Sequence, residues 1–306
     1  MNILVLGSTG FIGKNLVDQL KKQKHNVTTA ERSSNVDIRN YDQILQKIKD
    51  CNPQIIYNLA SHGGSVHYVK SKPAEVYHDN VQMGLNLYKA VAEVNNKIKI
   101  IQPFSNCSYP GDSDIQKENQ WLRGDVHPSV FSFGNSKRSI YCISKCYNQQ
   151  FDINTVNMLF PNTYGPGDSE DPNHTHALNG MIIRMLQAKK DNKKDFVIWG
   201  TGKPVREWLY IDDFIKALIM GLQVENMIEP INVAQEKGYS IFESAKIIKK
   251  SCNFEGNLIF DESYTDGDPI KIMGKEKFTN YFSDFIFYNH EQGIKNTVLY
   301  YQNIIL

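Results

Sequence analysis

The sequence predicts an α/β fold, a doubly wound parallel sheet with a smaller C-terminal α/β region. The main observation is that short β-rich runs alternate with amphipathic segments of helical spacing. The runs are NILVLG, NVTTA, QIIYNLA, KIKIIQPFS and INTVNMLFP, and the segments between them include FIGKNLVDQLKKQ and NVQMGLNLYKAVAEV. Strands that alternate with helices in this way form parallel sheets with helices on both faces.

The order of these elements divides the chain into two parts. NILVLG has no basic leader and ends at a glycine, so we interpret it as a strand and not as a signal peptide. The other runs continue the sheet as far as YGPGDSEDPNHTHALNG, whose Gly, Asp, Pro and His residues predict a mobile loop. We therefore expect one domain over residues 1–165 and a smaller region over 166–306, with parts of about 205–235 returning to the first.

Composition excludes several classes of function. The 306 residues are 41% hydrophobic and 22% charged, with a formal net charge of +1, so we expect a buried core and no dominant attraction to nucleic acid or anionic membranes. No run is long enough to cross a bilayer. The five cysteines are odd in number and lack a C-x-x-C pair, which argues against a disulfide framework or a zinc site and favours the cytoplasm. The expected partners are small molecules and other copies of the chain, and no metal is expected.

A glycine motif lies between the first predicted strand and the first predicted helix. The order strand, glycine turn, helix lets the backbone approach a pyrophosphate at a helix N-terminus, which predicts a Rossmann-like dinucleotide site. The alternative is an ordinary glycine turn, and the context favours the cofactor. The candidate NAD(P)-binding residues are Gly7, Thr9, Gly10, Phe11, Ile12 and Gly13, together with Leu59 and Ala60 after the third strand.

The end of the second strand bears on the choice between NAD and NADP. Glu31 could accept hydrogen bonds from the adenosine ribose hydroxyls, whereas Arg32 could pair with a ribose 2′-phosphate. A carboxylate at this position would repel the phosphate, so we favour NAD slightly over NADP. Asp37 either caps the next turn or lies near the adenine.

Two overlapping pairs compete for one catalytic role in the stretch SVFSFGNSKRSIYCISK. Tyr141 and Lys145 form Y-x-x-x-K, a spacing that puts a phenol and an ammonium on one helix face, whereas Phe133 and Lys137 keep the spacing without the hydroxyl. An offset of eight residues moves a side chain about 12 Å along a helix and about 80° around it. Only one pair can therefore serve a given site.

Several motifs together resemble the extended short-chain dehydrogenase/reductases that act on nucleotide sugars, and within them most closely the GDP-L-fucose synthase group. Besides the glycine spacing, the motifs are FSNCSYPG (104–111), LFPNTYGPGD (159–168), VIWGTGKPVREWLYIDD (197–213) and INVAQ (231–235). The resemblance covers nearly the whole chain. It implies an NAD(P)-dependent epimerase/reductase acting on a nucleotide-linked 4-keto-6-deoxy sugar, with GDP as the favoured nucleotide.

The resemblance places Phe133 at the position of the family's catalytic tyrosine. The family's pair opens a long helix, and a helix that starts at Tyr141 would be cramped before the next strand. We therefore expect Tyr141 and Lys145 to be a coincidental match at or near a helix surface or a dimer interface. In the family the tyrosine exchanges a proton with the sugar oxygen at C4, the lysine holds the nicotinamide ribose, and a serine, here Ser105, completes the hydrogen bonds. The resemblance implies that Lys137 has the role of the lysine and Ser105 that of the serine.

Phenylalanine can neither donate nor accept that proton, and the loss of a positioned general acid costs about 10²- to 10⁴-fold in rate. Two explanations remain open. Either the natural enzyme has given up redox chemistry, or the chain has been altered from tyrosine to trap a ligand.

Cys107 and His176 form a second candidate pair. They match the family's epimerase cysteine and histidine, and His176 precedes Arg184 by the eight residues that the family shows. A C4 ketone acidifies the protons on C3 and C5, and inversion needs a base and an acid that exchange protons near neutral pH. The alternative for Cys107 is a small buried hydrophobe, and His174 is expected to be a solvated loop residue.

The substrate-binding candidates are positive or aromatic. The resemblance implies that Arg184, Arg206 and Lys271 contact the nucleotide diphosphate, for which guanidinium groups are suited. It places Trp199 against the base or the sugar and Asn162 at the loop beside the sugar. For each of these residues the alternative is an ordinary surface or core position.

Alternative functions stay open at this level. Within the same class they are a 4-keto reductase and an epimerase that keeps NAD(P) bound. From another class comes a non-catalytic NAD(P)-binding sensor, which the missing phenol favours and the sugar-binding candidates oppose. The resemblance also implies a homodimer formed by helices around Asp79–Val94 and Lys137–Phe151.

Overall fold

A computed structural model describes residues 1–34, 36–111, 115–264 and 266–306. The first half of the chain contains β1 (Asn2–Leu6), α1 (Phe11–Lys22), β2 (Asn26–Ala30), α2 (Tyr41–Cys51), β3 (Ile55–Asn58), α3 (Val66–Ser71), α4 (Pro73–Val94), β4 (Lys99–Ser105), α5 (Phe131–Phe151) and β5 (Thr155–Phe160). The second half contains β6 (Asn162–Tyr164), α6 (Ala177–Lys190), β7 (Asp195–Trp199), β8 (Val205–Tyr210), α7 (Ile211–Met220), β9 (Met227–Asn232), β10 (Gly238–Ser240), α8 (Ile241–Cys252), β11 (Asn257–Asp261), β12 (Ile270–Lys271), α9 (Glu276–Tyr281) and α10 (His290–Ile305).

Six parallel strands form the main sheet in the order β2-β1-β3-β4-β5-β9. The central strands read as continuous apolar runs because helices cover both faces, and residues 3–6 of β1 are at most 1% exposed. The strand order reverses direction between β1 and β3. Ligands of open α/β sheets bind at such a switch point, beyond the carboxyl ends of the strands. The loops that follow β1 and β3 therefore frame the expected cofactor site.

Smaller sheets flank the main one. β8 pairs with β6, β10 and β12, and β7 pairs with β11. One hydrophobic cluster runs from the main sheet into the C-terminal helices and contains Val5 and Val156 as well as Leu186 and Tyr301. The C-terminal segment is thereby packed onto the main sheet, and β9 returns to that sheet beside β5.

Of the two long central helices, α4 begins earlier than the sequence pattern indicated, and α5 begins close to Phe133, as expected. α4 starts at Pro73 and not near Asp79, with the proline in the first turn, where its missing N–H costs nothing. α5 starts at Phe131 and packs along α4. Phe133 therefore lies in the first turn of α5, and Tyr141 lies in its middle.

Candidate active site

The glycine turn after β1 is closely packed against the end of β3. Gly7 has a φ of +75°, and a Cβ there would lie 2.8 Å from the Ala60 nitrogen and 2.9 Å from the Leu59 carbonyl carbon. A Cβ on Gly13 would lie 2.2 Å from the Gly7 oxygen. Only glycine fits these two positions, so backbone forms the surface there.

The first turn of α1 stands behind this surface. Gly10 is its N-cap without a side-chain hydrogen bond, Thr9 and Gly10 are exposed, and Phe11 is buried beside Ile12. Exposed N–H groups at a helix N-terminus next to a side-chain-free turn are what a dinucleotide pyrophosphate requires. The residues present therefore fit NAD(P).

Glu31, which follows the end of β2, contacts the glycine turn through its side chain. The Ser8 hydroxyl donates a hydrogen bond to a Glu31 carboxylate oxygen, whereas Arg32 is exposed. Asp37 is held by Arg39, whose Nη2 lies 2.6 Å from Oδ2, and this hydrogen bond lowers the pKa of Asp37 despite the opposing effect of burial. The Asp37 carboxylate thus positions Arg39.

Lys137 is buried next to the ring of Phe133. Its Nζ donates to the Ser61 hydroxyl at 2.9 Å and lies 4.9 Å from the centre of the Phe133 ring. Burial lowers the pKa of Lys137 to about 8. No carboxylate of the described residues forms an ion pair with this ammonium, so the cost of its burial is not offset.

Tyr141 and Lys145 lie elsewhere, and the expectation of a surface position for Tyr141 is wrong. The Tyr141 ring is 2% exposed and packs edge-on against Trp121 at 4.9 Å. Its hydroxyl donates to Glu229 on β9 at 3.1 Å, and Lys145 pairs with the same carboxylate at 2.8 Å. The apolar residues that cover this part of α5 bury the ring, which spacing along one helix could not indicate.

Ser105 is the last residue of β4, and Cys107 lies two residues beyond it. The Ser105 hydroxyl accepts a hydrogen bond from the Cys107 N–H at 3.2 Å, and the Cys107 sulfur lies 3.9 Å from Lys271 Nζ. Lys271 is 7% exposed. The structure thus places the predicted phosphate-binding lysine at the candidate epimerase thiol, where an ammonium can compensate charge that develops on sulfur.

His176 is the N-cap of α6 and lies near the glycine turn. Its Nδ1 is 3.0 Å from Asp168 Oδ2, and its ring centre is 5.4 Å from that of Phe11. Although burial acts to raise it, hydrogen bonds from His176 and Asn179 hold the pKa of Asp168 below its usual value. The carboxylate therefore accepts from Nδ1–H and leaves Nε2 as the nitrogen for proton transfer. Within the described residues no hydrogen bond joins His176 to Cys107.

The other substrate-binding candidates surround the end of β7 and the start of β8. Arg184 stacks on Trp199 at 4.0 Å, and burial lowers its pKa to about 10. Trp199 is half exposed and stacks on Tyr264 with ring centres 5.1 Å apart. Arg206 is half-buried, and burial lowers its pKa and raises that of Asp268. Half-buried guanidinium groups such as these are suited to phosphate oxygens.

The remaining candidates have structural contacts. Asn162 donates to the Glu207 carbonyl oxygen at 3.4 Å, which ties β6 to β8. His174 is exposed, pairs with Asp171 at 2.7 Å and lies against the Tyr68 ring. In the described part of the chain no group of three or more His, Cys, Asp or Glu side chains could hold a metal ion, and no helix there is long and apolar enough to span a membrane.

The sequence model of the NAD-dependent epimerase/dehydratase family matches residues 3–234. That span is more than half of the chain. The chain belongs to the NAD-dependent epimerase/dehydratase family. The predicted family membership and the Rossmann-like fold are thereby confirmed.

Relatives within this family match nearly the whole chain. GDP-L-fucose synthase of Dictyostelium discoideum is 27% identical over 300 residues, which cover 96% of this chain and 93% of that protein. GDP-L-colitose synthase of Yersinia pseudotuberculosis is 28% identical over 309 residues, which cover 99% and 98%. The crystal structure of a GDP-L-fucose synthetase from Naegleria fowleri bound to NADP has a TM-score of 0.86 and 29% identity, covering 98% of this chain and 94% of that chain.

Sequence reasoning missed several residues that adjoin the candidate catalytic side chains in the chain. His62 follows Ser61, and its ring nitrogens lie 2.8 Å from Tyr68 Oη and 2.8 Å from Asp79 Oδ2. Asn106, between Ser105 and Cys107, is 1% exposed, and its side-chain polar atoms have no hydrogen-bond partner among the described residues. The segment SHGGSVHY could have signalled the first group, because it puts two histidines and a tyrosine directly after a strand that borders the cofactor site.

Proposed function

We propose that the chain is an NAD(P)-dependent nucleotide-sugar epimerase/reductase acting on a GDP-linked 4-keto-6-deoxy sugar. The observation that carries the proposal is the position of Cys107, which follows β4 with its sulfur 3.9 Å from the Lys271 ammonium. The similarity to GDP-L-fucose and GDP-L-colitose synthases over nearly the whole chain supports a GDP-sugar.

The cofactor would be held by the glycine turn, the first turn of α1, and the residues after β3. When bound there, NAD(P) supplies or accepts a hydride. Glu31 favours NAD because its carboxylate would repel a 2′-phosphate, whereas exposed Arg32 and the NADP-bound Naegleria relative favour NADP. We keep NAD as the expected cofactor, and the first assay compares both.

Proton exchange next to the ketone is assigned to Cys107 and His176. A thiol and an imidazole can exchange protons near neutral pH, and a ketone makes the adjacent C–H groups acidic enough to give them up. Asp168 orients the His176 ring, and Lys271 compensates negative charge on the sulfur. The two residues would act on opposite faces of the sugar, as inversion of a centre requires.

The nucleotide and the sugar would be bound by the positive and aromatic residues near β7 and β8. Arg184 and Arg206 are assigned to the diphosphate because both guanidinium groups are half-buried without a carboxylate in hydrogen-bond contact among the described residues. The half-exposed Trp199 is assigned to the base or the sugar, and Asn162 to the loop beside the sugar.

Phe133 supports a second candidate within the same class, an epimerase that keeps its cofactor bound. Ser105 and Lys137 frame the hydride site, but the Phe133 ring has no proton to exchange. An enzyme that only inverts C3 or C5 needs no proton donor at C4. This candidate predicts deuterium exchange without cofactor oxidation.

The test is to incubate the protein with GDP-4-keto-6-deoxymannose in D₂O, with NADH or NADPH, and to follow deuterium at C3 and C5 and cofactor oxidation together. We expect exchange in the parent and about a 10²- to 10⁴-fold loss in Cys107→Ser and in His176→Gln. Cys142→Ser is the matched control, since Cys142 is exposed on α5. If the parent exchanges no deuterium, or if Cys142→Ser loses as much as Cys107→Ser, the assignment is wrong.

A further inference from the structure

The four residues 61–64, which follow β3, border the Phe133 and Lys137 pair. Ser61 Oγ accepts from Lys137 Nζ at 2.9 Å. A Cβ on Gly63 would lie 2.9 Å from Cε2 of the Phe133 ring. This segment therefore forms one wall of the space in which a phenol at position 133 would have acted.

His62 lies in the same segment and belongs to a chain of hydrogen bonds. Its Nδ1 is 2.8 Å from Asp79 Oδ2, and Arg39 Nη1 is 2.8 Å from the same oxygen. His78 approaches the other carboxylate oxygen at 3.4 Å. Burial acts to raise the pKa of Asp79, but hydrogen bonds from Arg39 and His62 lower it overall. The carboxylate is therefore ionised at neutral pH, so the proton of the pair is on His62 Nδ1.

The other imidazole nitrogen is connected to a phenol. His62 Nε2 lies 2.8 Å from Tyr68 Oη. The Tyr68 ring packs on Gly64, where a Cβ would lie 2.9 Å from Cδ1, just as Phe133 packs on Gly63. The two rings thus contact consecutive residues of one turn. A tyrosine, a histidine and a carboxylate arranged in this order have the connectivity of a proton relay.

We propose that Tyr68 supplies the proton at the sugar C4 oxygen that Phe133 cannot supply, with His62 as the relay behind it and Asp79 as the residue that positions His62. This inference rests on the proposed function, because it assumes a 4-keto sugar. Tyr68 is the catalytic residue in this scheme, since its phenol would donate to the substrate oxygen.

The step balances in protons and electrons. The phenol of Tyr68 would give its proton to the ketone oxygen. A bound NAD(P)H would supply the hydride that C4 gains, so the products would be an alcohol and NAD(P)⁺. The Tyr68 oxygen regains a proton from solvent by way of His62 Nε2, which lies 2.8 Å from it. Asp79 keeps its charge throughout, since it accepts from Nδ1–H in both states.

A purely structural role of the Tyr68, His62 and Asp79 hydrogen bonds makes a different prediction from a catalytic role. Hydrogen bonds from His62 to Tyr68 and Asp79 also hold α3 against α4, so Tyr68→Phe alone lowers stability in either case. The discriminating readout is the comparison of the two rates, because a structural defect lowers cofactor oxidation and deuterium exchange together. Only a catalytic Tyr68 predicts a loss of cofactor oxidation at unchanged deuterium exchange, which a phenol introduced by Phe133→Tyr then recovers.

The experiment measures cofactor oxidation and C3/C5 deuterium exchange with GDP-4-keto-6-deoxymannose for the parent, Tyr68→Phe, and the double variant Tyr68→Phe/Phe133→Tyr. We expect Tyr68→Phe to reduce cofactor oxidation about 10²- to 10⁴-fold with deuterium exchange unchanged, and the double variant to recover it. Tyr77→Phe is the matched control, because Tyr77 is 42% exposed on α4 and bonds only to Ser139 in the described structure.

A second readout needs neither cofactor nor substrate. ¹⁵N NMR of histidine-labelled protein reports the protonation of each imidazole nitrogen, and we expect the His62 Nε2 signal to shift in Tyr68→Phe and to stay constant in Tyr77→Phe. An unchanged His62 signal overturns the relay. The role of Tyr68 is overturned if Tyr68→Phe oxidises the cofactor as fast as the parent does. It is also overturned if Phe133→Tyr oxidises the cofactor and the parent does not. A parent that exchanges no deuterium contradicts the proposed function instead.

Discussion

Lys137 is a buried lysine whose ammonium pairs with no carboxylate among the described residues. Here its neighbours are the Ser61 hydroxyl at 2.9 Å and the Phe133 ring at 4.9 Å. A ring face offers a cation about 0.5–2 kcal/mol. That is less than the cost of burying an ammonium, which explains why its pKa falls to about 8.

The depressed pKa gives a pH-dependent stability. Between about 8 and 10.5 the unfolded chain binds a proton at Lys137 that the folded chain has released, so stability rises with pH in this window. The destabilisation that appears below pH 8 is about 3 kcal/mol. We expect Lys137→Met to be more stable than the parent at pH 7 and to lose most of that advantage by pH 10, as measured by urea unfolding. An advantage that does not change with pH would show that Lys137 is not desolvated.

At the residue scale, the sequence predictions depended on the spacing of residues along the chain, and this spacing indicates only local relationships. It found the glycine turn because the conformational freedom of Gly7 and Gly13 is a local property. It gave no reason to connect His62, Tyr68 and Asp79, since they come from a loop and two different helices. Their hydrogen bonds exist only because α3 and α4 pack together at one end of the sheet.

At the element scale, α5 makes side-chain contacts through two different faces. One face presents Phe133 and Lys137 to the residues after β3, and the other presents Tyr141 and Lys145 to Glu229 of β9. The offset of eight residues, about 80° around the helix, separates the two pairs. Tyr141 therefore ties the helix to the edge strand of the main sheet.

The position of Tyr141 leads to a prediction about this helix. Tyr141→Phe removes a hydrogen bond to Glu229 and should cost about 0.5–1.5 kcal/mol of unfolding free energy. Because the hydroxyl faces away from Lys137, cofactor oxidation and deuterium exchange should not change. Urea unfolding and the two rate assays check the prediction. A loss of cofactor oxidation at unchanged stability would instead identify Tyr141 as the proton donor.

The positions of most elements followed from the sequence, and their boundaries followed less well. The five β-rich runs contain β1 to β5 because buried parallel strands are apolar on both faces. The start of α4 was misplaced because SKPAEVYHDN reads as polar, while Pro73 in fact begins the helix. α4 packs against α2 and α5.

At the scale of the whole molecule, the second half of the chain supplies side chains to a site that the first half frames. Lys271 of β12 reaches Cys107 after β4, and the loop before α6 brings His176 to Phe11. β9 returns to the main sheet beside β5. The division at residue 165 stays a prediction, since the hydrophobic core continues across it.

The predicted homodimer can be tested through the exposed side of α4. Leu85 is 41% exposed there, on one of the two helices that the resemblance assigns to the interface. We expect the parent to sediment with twice the mass of one chain and Leu85→Glu to dissociate, because a charge would be buried in the interface. Leu299→Glu, at a leucine that is 51% exposed on α10, is the control and should remain dimeric. A parent that sediments as a monomer contradicts the prediction.

The sequence by itself determined the order of strands and helices, the glycine turn, the family, and the absence of a phenol at position 133. These features depend on the identity and the local spacing of residues. Only the tertiary structure decided that Tyr141 is buried against Trp121, that Lys271 lies at Cys107, and that His62 connects Tyr68 to Asp79. Such contacts join residues from separate elements, and their distances are set by how helices and sheets pack, which no short stretch of sequence specifies.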